Sequence, residues 1–166
     1  ASDVYKRQLQ DGAQANINNG IVDDYLFASN NAQIRVAGGH LFQSVTAAND
    51  ASFTMSGGVI DSSIIAYDDA ILTVNAGDIG MGVETYGNSQ FTQNAGSIAD
   101  SVYANDLSRV IINDGYIESH LNAKDHSSII INGGTINQQL SAADSASITI
   151  YHGTINTYLN AAFDSN

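Results

Sequence analysis

Apolar residues recur along most of the chain with a fixed period of nineteen residues. The repeats follow one another without insertion. They begin at Asn18, Ala37, Ser56, Asn75, Asn94, Asn113 and Asn132, with a shortened repeat from Tyr151. A constant period of this length is typical of a solenoid in which each repeat forms one turn and buries its apolar side against its neighbours. We number the repeat positions 1 to 19 and call the residues that share one position a column.

The pattern inside the repeat alternates with a period of two. Positions 5 and 9 are always aliphatic, position 11 is Ala except at Thr85, and position 15 is Ala or Ser. Positions 17 and 19 carry large apolar residues, with Gln93 breaking the last column. Polar residues mostly occupy the even positions between 9 and 19, which is the pattern of a half-buried strand. We therefore expect three short strands per repeat, around Gly-x-Ile, Leu-x-Ala and Ser-x-Ile-x-Ile, with the odd positions facing a core.

Position 3 is glycine in all eight repeats, from Gly20 to Gly153. An invariant glycine column predicts a corner that needs positive φ or a close approach of two backbones. The chain is thus predicted to be all-β, a single-stranded parallel β-helix of about eight triangular coils of nineteen residues. The six-residue spacing of positions 5, 11 and 17 favours a left-handed helix, whereas crossovers generally prefer the right hand. We leave the handedness open and slightly favour the right-handed form.

The repeat register predicts where the β-helix domain begins. Extended backwards, it would place Asp3 and Arg7 in core columns, so the repeat domain is predicted to span residues 9–166. Residues 1–8 are predicted to be a non-native leader, since residues 3–8 resemble one reading frame of the transposase end sequence used as a sequencing adaptor. No polar capping element closes the last repeat. We therefore expect a metagenomic fragment truncated at both ends, able to self-associate through its uncapped coils.

Composition excludes two classes of partner. The chain has 17 Asp and Glu against 5 Lys and Arg, a net charge of -12. Nucleic acid binding requires a basic footprint, so no nucleic acid partner is expected. No apolar run approaches the roughly 18 residues of a membrane span, so this segment is not expected to insert into a membrane.

Stacked carboxylates give the strongest candidate for a metal site. Asp106, Asp125 and Asp144 share position 13 in consecutive repeats, where stacking would bring them to roughly 5 Å. Such carboxylates repel by about 1 kcal/mol per pair in water, and a bridging Ca²⁺ would relieve the repulsion. Asp and Asn also favour corners because they bond nearby backbone and tolerate left-handed φ, and Asn30 and Asn49 fill the same column. We favour the corner interpretation and keep calcium as a possible cofactor.

The case for catalysis is weaker. Two carboxylates would suffice for glycoside hydrolysis, and two acidic pairs lie in predicted corners. These pairs are Asp23 with Asp24 and Asp68 with Asp69. Beyond residue 8, however, the cations are Arg35, Arg109 and Lys124, and no repeat carries an inserted loop that could wall a groove. We expect no catalytic residues. Outward aromatic residues that could contact a ligand are Tyr25, Phe27, Phe42, Tyr67, Tyr86, Tyr103, Tyr116 and Tyr158, scattered over several columns.

Two segments carry a resemblance to known proteins. These are Ile-Asn-Gly-Gly-Thr-Ile at residues 131–136 and Leu-Ser-Ala-Ala-Asp-Ser at residues 140–145. They resemble the nineteen-residue repeats of AIDA-type autotransporter adhesin passengers and the Ile-x-Gly-Gly-x-Ile and Leu-x-Ala-x-Asp-x-Ser arrays of other large exported bacterial proteins. The resemblance implies a structural or adhesive segment of a secreted or surface-exposed protein, with a host or environmental surface, including carbohydrate, as its partner. The alternatives are a fragment of a polysaccharide-acting β-helix enzyme and a calcium-dependent carbohydrate-binding module.

Overall fold

The computed structural model describes residues 6–161, and this part of the chain is built from strands, turns and bends without a helix. The strands in chain order are β1 (Lys6–Leu9), β2 (Gln14–Ile17), β3 (Ile21–Val22), β4 (Tyr25–Ala28), β5 (Gln33–Val36), β6 (His40–Leu41), β7 (Val45–Ala47), β8 (Ser52–Ile60), β9 (Ile64–Ala66), β10 (Ile71–Ile79), β11 (Val83–Thr85), β12 (Gln90–Gln93), β13 (Ser97–Ile98), β14 (Val102–Ala104), β15 (Arg109–Ile112), β16 (Tyr116–Ile117), β17 (Leu121–Ala123), β18 (Ser128–Ile131), β19 (Thr135–Ile136), β20 (Gln139–Ala142), β21 (Ser147–Ile150), β22 (Thr154–Ile155) and β23 (Tyr158–Ala161). The described residues contain no helical segment with the length and hydrophobicity of a membrane span.

Every strand lies parallel to its equivalent in the next coil, and the pairing follows the nineteen-residue period. In the first sheet Val83 of β11 pairs with Ile64 of β9 on one side and with Val102 of β14 on the other. This sheet stacks nine strands, one from each coil, in the order β1, β4, β7, β9, β11, β14, β17, β20 and β23. The predicted parallel β-helix of about eight coils is therefore confirmed.

The remaining two strands of each coil form a second sheet of fourteen strands. In most coils a turn at positions 1 to 3 separates them, as predicted. In β8 and β10, however, a nine-residue strand continues through this turn and joins the two ladders. Ala76 still pairs with Ser56 there, and the register shifts on both sides of that pair absorb the irregular step. The prediction of three separate strands is wrong for these two coils because backbone pairing continues through the corner.

The core is one continuous cluster of apolar side chains that runs along the axis of the helix. Its largest fully buried members are Phe53, Phe91, Ile34, Leu41, Met55, Ile60, Ile64, Leu72, Ile79, Ile98, Ile112 and Ile117. All of them occupy the odd repeat positions that the sequence assigns to the interior. Burial of this apolar surface between coils is the main source of stability for such a stack.

Both reasons for the glycine column at position 3 are present. The eight glycines have φ between 82° and 123°. A Cβ atom on Gly58 would also lie 2.7 Å from the carbonyl oxygen of Gly39, one coil earlier. Position 3 therefore requires glycine for its backbone conformation and for the close packing of successive corners.

The strand ladder begins earlier than the sequence predicts. Strand β1 pairs with β4 from Lys6 onwards, three residues before the predicted domain start at Leu9. Arg7 occupies the column that was expected to be inward, but its side chain is 69% exposed and its Nε lies 2.9 Å from Oδ2 of Asp24. The guanidinium thus avoids the core by turning outward to a carboxylate. Residues 1–5 of the predicted leader and residues 162–166 lie outside the described residues.

Candidate functional site

The position 13 corner is formed by left-handed residues. Asn30, Asn49, Asp68, Asp106, Asp125 and Asp144 all have φ between 55° and 59°, and Gly87 fills the same column with φ 66°. The turn is closed by backbone hydrogen bonds such as that from Ala51 N to the carbonyl of Ala48, 3.2 Å. Asp and Asn tolerate this conformation better than other side chains, which explains their dominance in the column.

The carboxylates of this column bond to the backbone of the neighbouring coil. Oδ2 of Asp106 accepts from the amide of Gly87 at 2.9 Å. Oδ2 of Asp125 accepts from the amide of Asp106 at 3.3 Å, and Oδ2 of Asp144 from that of Asp125 at 3.4 Å. One oxygen of each carboxylate therefore satisfies a backbone donor of the preceding corner. The column ties successive coils together as well as turning the chain.

The structure places the three calcium candidates together in one column, as the register requires. Their carboxylates already accept the backbone hydrogen bonds described above. Among residues 6–161, no group of three or more His, Cys, Asp or Glu side chains is arranged to hold a metal ion. The backbone hydrogen bonds provide the structural role that the corner interpretation assigns to these aspartates. Calcium binding stays a prediction, to be decided by titration.

Amide side chains form a second stacked feature. At position 1, Nδ2 of Asn94 donates to Oδ1 of Asn75 at 2.8 Å, and the same bond links Asn113 to Asn94 and Asn132 to Asn113 at 2.7 Å. Four exposed asparagines thus form a continuous ladder. Such a ladder adds one side-chain hydrogen bond per coil and fixes the register of the stack.

The two acidic pairs have different bonding partners and do not form one site. Asp24 binds Arg7, and Oδ1 of Asp69 accepts from Nδ2 of Asn88 at 3.3 Å. Within residues 6–161 the ion pairs are Arg7 with Asp24 and His40 with Asp61, so Arg35, Arg109 and Lys124 neutralise neither acidic pair. Among the described residues, Arg7 is the cation paired with one of these carboxylates, that of Asp24, and no ion pair involves Asp68 or Asp69.

A polar cluster at positions 7 and 8 was not singled out from the sequence. Ser119 Oγ lies 2.6 Å from Nδ1 of His120, and Ser101 Oγ lies 3.4 Å from the same nitrogen. Asp100 accepts from Ser101 rather than from the imidazole, so the histidine lacks the orienting carboxylate of a Ser-His-Asp triad. Ser101 Oγ also accepts from the backbone amide of His120, which makes the cluster part of the corner.

The outer surface beside the acidic corner carries an ordered aromatic pair. The rings of Tyr67 and Tyr86 stack with centroids 5.2 Å apart and planes inclined by 14°. Both residues occupy position 12, immediately before the left-handed corner. We call this pair the tyrosine platform. The outward aromatic residues are scattered over several columns, but the nineteen-residue separation of Tyr67 and Tyr86 predicts that these two stack.

A carboxylate holds one ring of the tyrosine platform. The hydroxyl of Tyr86 donates to Oε2 of Glu84 at 2.6 Å, a residue of β11 that lies two positions earlier. This hydrogen bond, together with desolvation and the nearby negative charges, raises the pKa of Tyr86 to about 12. The phenol is therefore protonated at neutral pH and fixed as a donor to Glu84.

Polar residues also follow the platform tyrosines along the chain. Asp69 and Asn88, the hydrogen-bonded pair at position 14, each follow a platform tyrosine by two residues. Along the chain, Glu84 thus precedes the tyrosine platform and Asp69 and Asn88 follow it, and we call these three residues its polar border. This is an exposed surface able to contact a ligand through aromatic and polar groups together. No protein-family model, curated protein or solved structure matches the chain.

Proposed function

We propose that this chain is a structural and adhesive segment of a secreted or surface-exposed bacterial protein, and that it contacts a host or environmental surface without catalysing a reaction. The observation that supports this most directly is the in-register stacking of outward columns on a continuous core, exemplified by the Glu84 pairings with Ile65 and Tyr103. A stack of this kind holds outward side chains at a constant spacing of roughly 4.8 Å.

Regular display suits adhesion because weak contacts made by neighbouring coils act together. Each coil presents its own outward side chains, and a rigid scaffold keeps them at fixed separations, so simultaneous engagement does not require new ordering. The stacked pair of exposed Tyr67 and half-buried Tyr86 is one such contact that spans two coils. The resemblance to autotransporter passengers supports the same interpretation and an extracellular location.

The proposal is tested by measuring retention and turnover together. The purified chain would be applied to cellulose, chitin, starch granules and mucin-coated plates, with succinylated albumin as an acidic control protein. We expect retention on at least one surface above the control and no release of reducing sugar. Retention no greater than that of albumin on every surface, or sustained release of reducing sugar, would overturn the proposal.

A further inference from the structure

We infer that the tyrosine platform, Tyr67 and Tyr86, binds the ring face of hexose units in a neutral polysaccharide. This inference rests on the proposed adhesive function and names its ligand. Parallel aromatic rings present a flat apolar surface that complements the C–H face of a pyranose ring, while polar side chains at the edge can bond its hydroxyl groups.

The Tyr67 ring of the platform is partly exposed to solvent. Tyr86 covers one face of the Tyr67 ring, and the residue one coil earlier in the same column is Ala48, which carries only a methyl group. Tyr67 is 41% exposed. Part of the Tyr67 ring is therefore open to contact by a ligand ring of similar size.

The platform is ordered before any ligand arrives. The bond from the Tyr86 hydroxyl to Glu84 fixes that ring, and stacking on it restricts the ring of Tyr67. A ligand that stacks on Tyr67 consequently does not have to immobilise a freely rotating side chain. Preorganisation of this kind lowers the entropic cost of binding.

The border of the platform provides hydrogen-bonding groups of both kinds. Carboxylate oxygens of Glu84 and Asp69 are acceptors for sugar hydroxyls, and the amide of Asn88 is both donor and acceptor. The bond from Asn88 Nδ2 to Asp69 Oδ1 holds the latter two in fixed relative positions. A polyhydroxylated ligand matches this border better than a purely apolar one.

Charge selects among polysaccharides. The negative charges of Glu84 and Asp106 act on Tyr86, and the chain as a whole carries a net charge of -12. Uronic acids and sulfated sugars would be repelled. The same charge opposes a second copy of this chain as the occupant. A neutral hexose polymer is the ligand class that is compatible with the aromatic face, the polar border and the negative charge of the surface together.

The test is affinity electrophoresis and calorimetry with dextran, mannan, galactan, xyloglucan and hydroxyethylcellulose, with polygalacturonate as the acidic probe. We expect at least one neutral polymer to bind and Tyr67→Ala to weaken that binding about tenfold, equivalent to about 1.4 kcal/mol. Tyr86→Phe keeps the ring and should retain most of the affinity. Tyr116→Ala is the matched control, since Tyr116 is 37% exposed and lies in a different column. Melting curves of each variant would confirm that the fold is intact.

Several outcomes would overturn the inference. These are no binding to any neutral polymer, tighter binding to polygalacturonate, or equal losses in Tyr67→Ala and Tyr116→Ala. Association of the free chain in sedimentation that Tyr67→Ala abolishes would assign the platform to a second copy instead. If the wild-type chain and Tyr67→Ala are retained equally on surfaces, the inference that the platform binds the ligand is wrong, but the adhesive function stands. If neither is retained, the adhesive function itself fails.

Discussion

The carboxylate of Asp125 accepts a hydrogen bond from the backbone amide of Asp106, with Oδ2 and N 3.3 Å apart. Asp125 also lies between two other carboxylates of its column, those of Asp106 and Asp144. Neighbouring charges at roughly 5 Å repel by about 1 kcal/mol in water, less when salt screens them. The corner thus gains a backbone hydrogen bond from each carboxylate at the cost of repulsion along the column.

We predict that Asp125→Asn stabilises the fold, by a few tenths to about 1 kcal/mol, and that the gain shrinks as salt rises. The amide oxygen can still accept from the Asp106 amide. Its Nδ2 can donate to the Asp106 carboxylate, as Nδ2 of Asn30 does to Oδ1 of Asp11 at 2.7 Å. Urea denaturation at low and high salt measures the change.

The same variant decides the calcium alternative. Asp114→Asn is the control, because Asp114 bonds Gly115 in its own turn and its column neighbours Ala95 and Gly133 carry no charge. We expect calcium to leave the melting temperature of the wild-type chain nearly unchanged. A saturable rise that Asp125→Asn removes and Asp114→Asn preserves would establish a metal site in the corner.

Gln93 is the one polar residue in the position 19 column, and its side chain is buried among apolar neighbours. Its Nε2 donates to the carbonyl of Gly96 at 3.1 Å, but its Oε1 has no partner among the described residues. An unpaired buried acceptor costs about 1–3 kcal/mol. The Gly96 carbonyl also accepts from the amide of Tyr116 at 3.0 Å, so it would not be orphaned by a substitution.

We therefore predict that Gln93→Met raises the free energy of unfolding by about 1–2 kcal/mol. Met55 is fully buried two coils earlier in the same column, so a thioether of similar length fits this position. The denaturation midpoint is the measurement, and Thr92→Met, at the adjacent outward position, is the control that should change little. A loss of stability in Gln93→Met would show that the amide makes a further bond the apolar side chain cannot replace.

The buried residues can be predicted from the sequence because every coil buries the same repeat positions. Leu41, Ile60 and Ile79 share one column, and each is buried for the reason that the period predicts. The glycine column is equally readable, since one backbone geometry is repeated at each corner. Because the same burial or backbone requirement applies at each coil, the same type of residue recurs in the sequence. The recurring residue type therefore reveals the requirement.

The contacts of the outward-facing residues are harder to predict from the sequence because they differ from coil to coil. The stacking of Tyr67 on Tyr86 follows from the period, but the bond from Tyr86 to Glu84 depends on a side-chain rotamer that no repetition reveals. The exposure of Arg7 likewise depends on its pairing with Asp24, which lies in a different column. Each of these two contacts joins different columns and is found at one place among the described residues, so it leaves no periodic signal.

The glycine column allows the conformational requirement to be separated from the packing requirement. Gly20 and Gly58 have φ of 95° and 92°, but a Cβ on Gly20 would meet nothing within 4 Å, whereas one on Gly58 would lie 2.7 Å from Gly39 O. Gly20→Ala should cost about 1–2 kcal/mol for its left-handed φ alone. Gly58→Ala should cost at least about 3 kcal/mol, because the backbone must also move. Equal losses in denaturation experiments would mean that the close approach relaxes freely.

High pH should weaken the fold through Tyr86. Its pKa is raised from 10.0 to about 12, first by the hydrogen bond to Glu84 and then by desolvation. The unfolded chain releases this proton near pH 10 while the folded chain keeps it, so the stabilisation is complete below pH 10 and is lost as pH rises to about 12. Denaturation midpoints measured from pH 9 upwards should fall more steeply for the wild-type chain than for Tyr86→Phe, which cannot ionise. Glu84→Gln should lower the ionisation midpoint of Tyr86 in ultraviolet difference spectra, because it replaces the charged acceptor with a neutral one. Identical pH profiles for the wild-type chain and Tyr86→Phe would show that the Tyr86 proton is held no more tightly in the folded chain than in the unfolded one.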